Sequence, residues 1–105
     1  MHEPGILVTP WPNDQKPPEH VLQRLLAEEN LKPYRWSNGP HDVYRAHMHP
    51  YNKVLYVVSG SITFGLPESG KYLTLHAGDR LDLPKGVVHS AVVGPHGVIC
   101  LEAQC

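Results

Sequence analysis

Cysteine is nearly absent. The two that occur, Cys100 and Cys105, both sit at the end of the 105-residue chain. No disulfide framework is therefore expected, and the simplest reading is a small buried residue at Cys100 and a free terminal thiol at Cys105. A surplus of one charge is also missing: nine Lys and Arg against ten Asp and Glu leave a net charge of −1, which removes the electrostatic case for nucleic acid or an anionic membrane as partner. No apolar run approaches the ~20 residues of a membrane helix. The opening Met1-His2-Glu3-Pro4 has neither the cationic start nor the apolar stretch of a signal peptide, so a cytoplasmic location is the default expectation. No Gly-rich phosphate loop is present, and no Ser-His-Asp or Cys-His set has positional support.

What is abundant is punctuation. Eleven prolines and nine glycines in a chain that is 41% hydrophobic imply many turns and short elements, the signature of a soluble all-β domain. The length suits one domain able to bury its own core. Residues 1–33 read as an N-terminal arm and one helix. Ile6-Leu7-Val8 could form an edge strand, since the surrounding prolines exclude a central one. Val21, Leu22, Leu25 and Leu26 recur at helical spacing, with Pro17-Pro18-Glu19 as the start and Asn30 and Pro33 as the stop. From residue 34 to 105 the pattern is a β-barrel. Short apolar or alternating runs cover 34–36, 43–49, 54–58, 61–66, 72–75, 80–83, 87–93 and 98–102. They are separated by turn residues such as Ser59-Gly60, Ala77-Gly78-Asp79 and Gly94-Pro95-His96-Gly97. About eight strands at this spacing predict a jelly-roll sandwich or barrel.

Chemistry concentrates at His47-Met48-His49. Residues at i and i+2 of a strand share a face, so both imidazoles can address one point. That is the beginning of a metal site, and His89 is the candidate third ligand. By the same alternation Arg45 is expected on the face of His47. An inward Arg45 together with an inward Lys53 would make the pocket an anion site, with Asp82 and Glu102 as candidate counterions.

These residues carry a resemblance to the cupin superfamily. Its first motif is G-x5-H-x-H-x3-4-E-x6-G and its second G-x5-P-x-G-x2-H-x3-N. His47 and His49 fit the H-x-H, Gly60 the closing glycine, and Gly78, Pro84, Gly86 and His89 the second motif. The match spans about residues 39–93. Three positions depart from it. Gly39 lies too far upstream, Val93 stands for the terminal Asn, and Lys53 stands for the Glu that is a metal ligand in many members. The resemblance implies a double-stranded β-helix barrel preceded here by one short helix, a pocket inside the barrel, and a homodimer. It also implies a divalent metal on His47, His49 and His89.

Three neutral imidazoles suit Zn, Fe, Ni, Mn or Cu and leave open positions for water or substrate. Lys53 has two readings. In one it binds an anionic small molecule together with Arg45 and Tyr51. In the other, weighed slightly ahead, it begins a strand at the barrel mouth and extends to water. His41, His76 and His96 are expected in loops or beside turns, and His2 and His20 outside the barrel. Core packing is the default for Tyr44, Met48, Tyr56 and Phe64, and covering the barrel is a role for Trp11 and Trp36. The leading functional reading is a small metal-binding cupin with a small-molecule pocket. If it is an enzyme, oxygenase chemistry comes first and isomerase or lyase chemistry next. The alternative is a non-catalytic ligand-binding or sensor cupin with an empty or degenerate metal site.

Overall fold

In the computed structural model, which describes residues 5–105, seven strands and one helix follow in the order β1 (Leu7–Thr9), α1 (Glu19–Glu28), β2 (Tyr34–Asn38), β3 (Val43–His47), β4 (Lys53–Leu66), β5 (Lys71–His76), β6 (Arg80–Leu83) and β7 (His89–Gln104). All pairings are antiparallel. The sheet runs β1-β6-β4-β7-β2, with β3 added on β7 and β5 on β4. Two long strands organise it. The first half of β4 pairs with β6 and with the end of β7; its second half pairs with β5 and with the start of β7. Each long strand thus passes through both layers of the barrel.

The expected turns at Ser59-Gly60 and Gly94–Gly97 are not turns. Both strands continue through them, with register shifts between Val57 and Ser59 and between Gly60 and Ile62. Gly60 and Gly97 adopt φ of +77° and +78°, and a Cβ on Gly60 would lie 1.9 Å from the Gly97 carbonyl oxygen. Left-handed backbone and this close approach both require glycine. The eight predicted runs therefore merge, four of them into two bent strands.

The barrel interior is filled by Leu55, Val57, Ile62, Phe64, Leu75, Leu81, Val93, Val98 and Cys100, among others. A second cluster lies outside it: Leu22 and Leu26 of α1 pack on Val54, Tyr56 and Leu101. The first half of β4 is consequently buried on both faces, which explains its unbroken apolar run. The helix ends as its sequence suggests. Asn30 takes φ +61°, its N–H donates to Ala27 O, and Leu31 N–H donates back to Leu26 O. This is a Schellman cap in which Leu31 joins the apolar cluster. Arg80 clasps helix to barrel: its guanidinium bonds Glu29 beyond the helix end and Asp82 on its own strand, and lies 5.5 Å over the Tyr56 ring. Ahead of the helix, β1 forms the expected edge strand on β6, and Trp11 packs against Gly78. Among the described residues no helix is long and apolar enough to cross a membrane.

Candidate metal centre and cavity

His47 and His89 meet as cross-strand partners on β3 and β7. Just beyond β3, Met48 is exposed and His49 turns back inward, so the two-residue period persists past the hydrogen-bonded strand. Ring centroids are 4.4 Å apart for His47 and His89, 4.7 Å for His47 and His49, and 5.3 Å for His49 and His89. One nitrogen from each ring lies within 4.8 Å of the others.

The second nitrogen of each ring is engaged. His47 Nδ1 is 2.6 Å from Arg45 O and His89 Nδ1 is 2.9 Å from Val87 O. A carbonyl only accepts, so both Nδ1 atoms carry a proton, and in the neutral form of each ring Nε2 presents the lone pair. His49 Nδ1 pairs with the Tyr51 hydroxyl at 3.1 Å, under a stacked Tyr51 ring. His49 Nε2 is buried and without a hydrogen-bond partner. Burial pushes the His89 imidazole down to about 4, with the Val87 carbonyl opposing it, and burial followed by the nearby Lys53 charge lowers that of His49. Both rings are thus neutral at neutral pH, the state a metal ligand needs. Oriented rings, anchored outer nitrogens and one orphaned inner nitrogen fit a divalent ion of the nitrogen-preferring kind.

The three histidines open on a cavity of about 290 Å³, whose walls include Trp36, Tyr44, Tyr51 and Phe64. At its inner side lies an ion pair. Lys53 is 8% exposed and its Nζ is 3.4 Å from Oε1 of Glu102, itself 4% exposed. The Glu102 carboxylate also accepts from the Tyr34 hydroxyl at 2.5 Å and from the Trp36 indole N–H at 3.1 Å. Burial first, and then the carboxylate contact, raise the Tyr34 phenol. The expectation that Lys53 reaches water is overturned, because β4 places it in phase with the interior residues Leu55 and Val57. Its counterion is Glu102, one diagonal step away, since Leu55 is the register partner of Glu102. Asp82 instead serves Arg80.

Arg45 also departs from expectation. It is exposed and does not line the cavity. The register passes from Tyr44 opposite Ala91 to His47 opposite His89, so β3 carries one residue more than β7 across this interval. That bulge shifts the alternation, bringing both Tyr44 and His47 to the cavity and taking Arg45 off its face. Tyr51 does line the cavity. Tyr34 and Asn38 were not anticipated there. They flank Trp36 at two-residue spacing, which was the available signal.

The remaining histidines stay out of the site. His41 lies in a loop at φ +63°, and His20, His76 and His96 are exposed; His2 is outside the described residues. Tyr56 faces the helix, not the cavity. Cys100 is buried and Cys105 exposed, both as free thiols. Burial, reinforced by Glu102, pushes the Cys100 thiol up to about 12, which makes it inert.

No family model and no curated protein matches the sequence. Solved structures do match. A DUF861 family protein from Thermotoga maritima superimposes with a TM-score of 0.67 at 20% identity, over 95% of this chain and 99% of its own. An RmlC-like cupin from Shewanella frigidimarina gives 0.60 at 28% identity, over 70% of this chain and 64% of its own. The polyketide cyclase RemF from Streptomyces resistomycificus gives 0.62 at 25% identity, over 71% and 54%. With its double-stranded β-helix, its two histidine-bearing motifs in order and these likenesses, the chain has the fold of the cupins.

Proposed function

We propose that the protein is a metal-dependent cupin acting on a small molecule inside its barrel, with His47, His49 and His89 holding one divalent ion. The observation that carries this reading is the His49 Nε2, buried without a partner beside two Nε2 lone pairs whose orientation the Arg45 and Val87 carbonyls dictate. An unpaired buried polar atom costs about 1–3 kcal/mol, and a shared ion removes that cost. A bound divalent ion would supply Lewis-acid polarisation of a substrate oxygen.

The chain's own residues then divide the work. The Tyr51 hydroxyl holds the His49 ring, Lys53 presents an ammonium to the substrate space, and the aromatic walls exclude water. The likeness to RemF, a polyketide cyclase, supports a reaction on a small organic molecule in such a barrel. The test is metal analysis of untagged protein. About one equivalent of zinc, iron, nickel, manganese or copper is expected in wild type, and a large loss in His49→Ala and His89→Ala. Wild type that takes up no metal on soaking, yet folds normally, ends this reading.

A second reading is supported by the buried Lys53–Glu102 pair. Here the barrel is a ligand-binding module whose fixed internal charges replace a metal. The same metal analysis separates the two. We also propose a homodimer through the outer sheet face, where Val43 and Val92 pair and are 68% and 47% exposed; light scattering at the monomer mass would exclude it.

A further inference from the structure

The charges lining the cavity do not balance once an ion is present. Glu102 is the one acidic side chain among the lining residues, and Lys53 is the one lysine or arginine. They cancel each other. The three imidazoles are neutral when they ligate. A divalent ion on them therefore leaves two positive charges at the cavity, with no acidic side chain among the described lining residues left to offset them. A carboxylate at position 53 would have removed part of that excess; Lys53 instead pairs with Glu102, the one carboxylate among the described lining residues.

Donors are unbalanced as well. Both Glu102 oxygens accept from neutral groups, Tyr34 on one and Trp36 on the other. Lys53 approaches at 3.4 Å, and among the described residues no other partner of its ammonium is found. A cation that carries three N–H donors thus lies at the cavity wall with donors to spare. Much of the remaining lining is apolar or aromatic, including Trp36, Tyr44, Leu55, Ile62 and Phe64, and Phe64 lies 6.4 Å from the His89 ring. The 290 Å³ volume is at the lower end of the range for small-molecule pockets.

We propose that the natural ligand is a small carboxylate with a flat apolar body, its carboxylate received by Lys53 and its body held between the aromatic walls and the histidine cluster. The proposal rests on the metal reading for its charge count, but Lys53 alone supports a weaker form of the same site. Glu102 is the positioning residue, since it keeps the ammonium inside the barrel, and the anion supplied by the ligand completes the charge balance.

Benzoate and its uncharged isostere benzamide test this, by titration calorimetry and by the fluorescence of Trp36 in the cavity wall. Zinc-loaded and zinc-free protein are compared, with zinc content measured on each sample. Zinc-loaded wild type is expected to prefer benzoate by about tenfold or more, the worth of a charge-assisted hydrogen bond. Benzoate and zinc should tighten each other's binding by the same factor. Without zinc, where Lys53 alone selects the charge, Lys53→Met/Glu102→Gln should lose most of the preference that zinc-free wild type shows, and it should still bind zinc when zinc is added. Glu102→Gln alone should weaken the preference for benzoate, because the ammonium is then no longer held at the cavity wall.

If the protein takes up no zinc yet still prefers benzoate, the carboxylate site stands and the metal reading falls. Equal binding of benzoate and benzamide, saturable binding of neither, or a preference untouched in the zinc-free double variant overturns the proposal. The two ligands are compared on one protein, so the outcome does not depend on any variant folding.

Discussion

Replacing Lys53 by Met shortens the side chain by one atom and removes the charge. At 3.4 Å and an effective dielectric of about 20, the attraction between Lys53 and Glu102 is about 5 kcal/mol before desolvation is counted. Removing one member of a buried pair generally costs about 3–5 kcal/mol, because the other charge stays buried. Here Glu102 retains the Tyr34 and Trp36 donors, so the lower end applies, about 3 kcal/mol. That corresponds to a fall in Tm of roughly 12–24 °C for a domain of this size. Glu102→Gln strands the ammonium instead and should cost a similar amount.

The double variant carries neither charge, and the Gln carbonyl can still accept from Tyr34 or Trp36. Its expected loss is about 1 kcal/mol, giving a coupling energy of about 5 kcal/mol. Urea unfolding of metal-free wild type, both singles and the double at one pH measures the cycle. A Lys53→Met loss below about 1 kcal/mol, in the range of an exposed pair, would place the ammonium in solvent and refute the burial argument. Additive losses in the double would show that the two groups do not interact.

Other outcomes follow from the same contacts. In metal-free protein the His89 imidazole is depressed to about 4, so between that value and the unfolded value of about 6.5 the unfolded state binds the extra proton. Stability should be full above pH 6.5 and fall as the pH drops through this window, and His89→Gln should flatten that part of the profile in urea titrations. Gly60→Ala should prevent folding or cost several kcal/mol, because its Cβ meets backbone at 1.9 Å. Gly70→Ala has the same left-handed φ, +72°, but nothing within 4 Å, so its cost should be only about 1–2 kcal/mol; circular dichroism and thermal melts compare the two. Arg80→Met should loosen α1 from the barrel, with faster amide exchange across Glu19–Glu28 and little change in metal content.

The chain discloses its parts unevenly, and the reasons are physical. The helix was readable because Val21, Leu22, Leu25 and Leu26 recur at a spacing that a helix gathers on one face and a strand would split between two, and Leu22 and Leu26 are fully buried. His47, His49 and His89 were readable because strand alternation and a spaced second motif converge on them. Ser59-Gly60 misled because glycine at positive φ serves a turn and a bulge equally well. Only the pairing of β4 with β7, set by residues far away in sequence, distinguishes the two. Arg45 misled for a related reason: one extra residue in β3 reverses the alternation, and no local composition announces it. Lys53 could not be phased at all. Residues 54–58 are apolar throughout, since α1 covers the outer face, so there was no alternation to count from. The Tyr34–Glu102 contact spans 68 residues and exists only after the barrel closes.

The buried pair also bears on whether the departure at position 53 is mere loss of a ligand. A cavity position that no longer needs a carboxylate is served at least as well by an apolar side chain, since buried ion pairs give little or no net stability over well-packed hydrophobic residues. A buried lysine is a different matter. It needs an acid at the right diagonal on another strand, and that acid needs donors of its own. Glu102 lies at that diagonal from Lys53, and Tyr34 and Trp36 sit at successive inward positions of β2 to hold it. Four residues on three strands thus keep one ammonium inside the barrel beside the histidines. Such an arrangement makes chemical sense when the ammonium meets something in the cavity, and the proposed carboxylate ligand is what its charge would select.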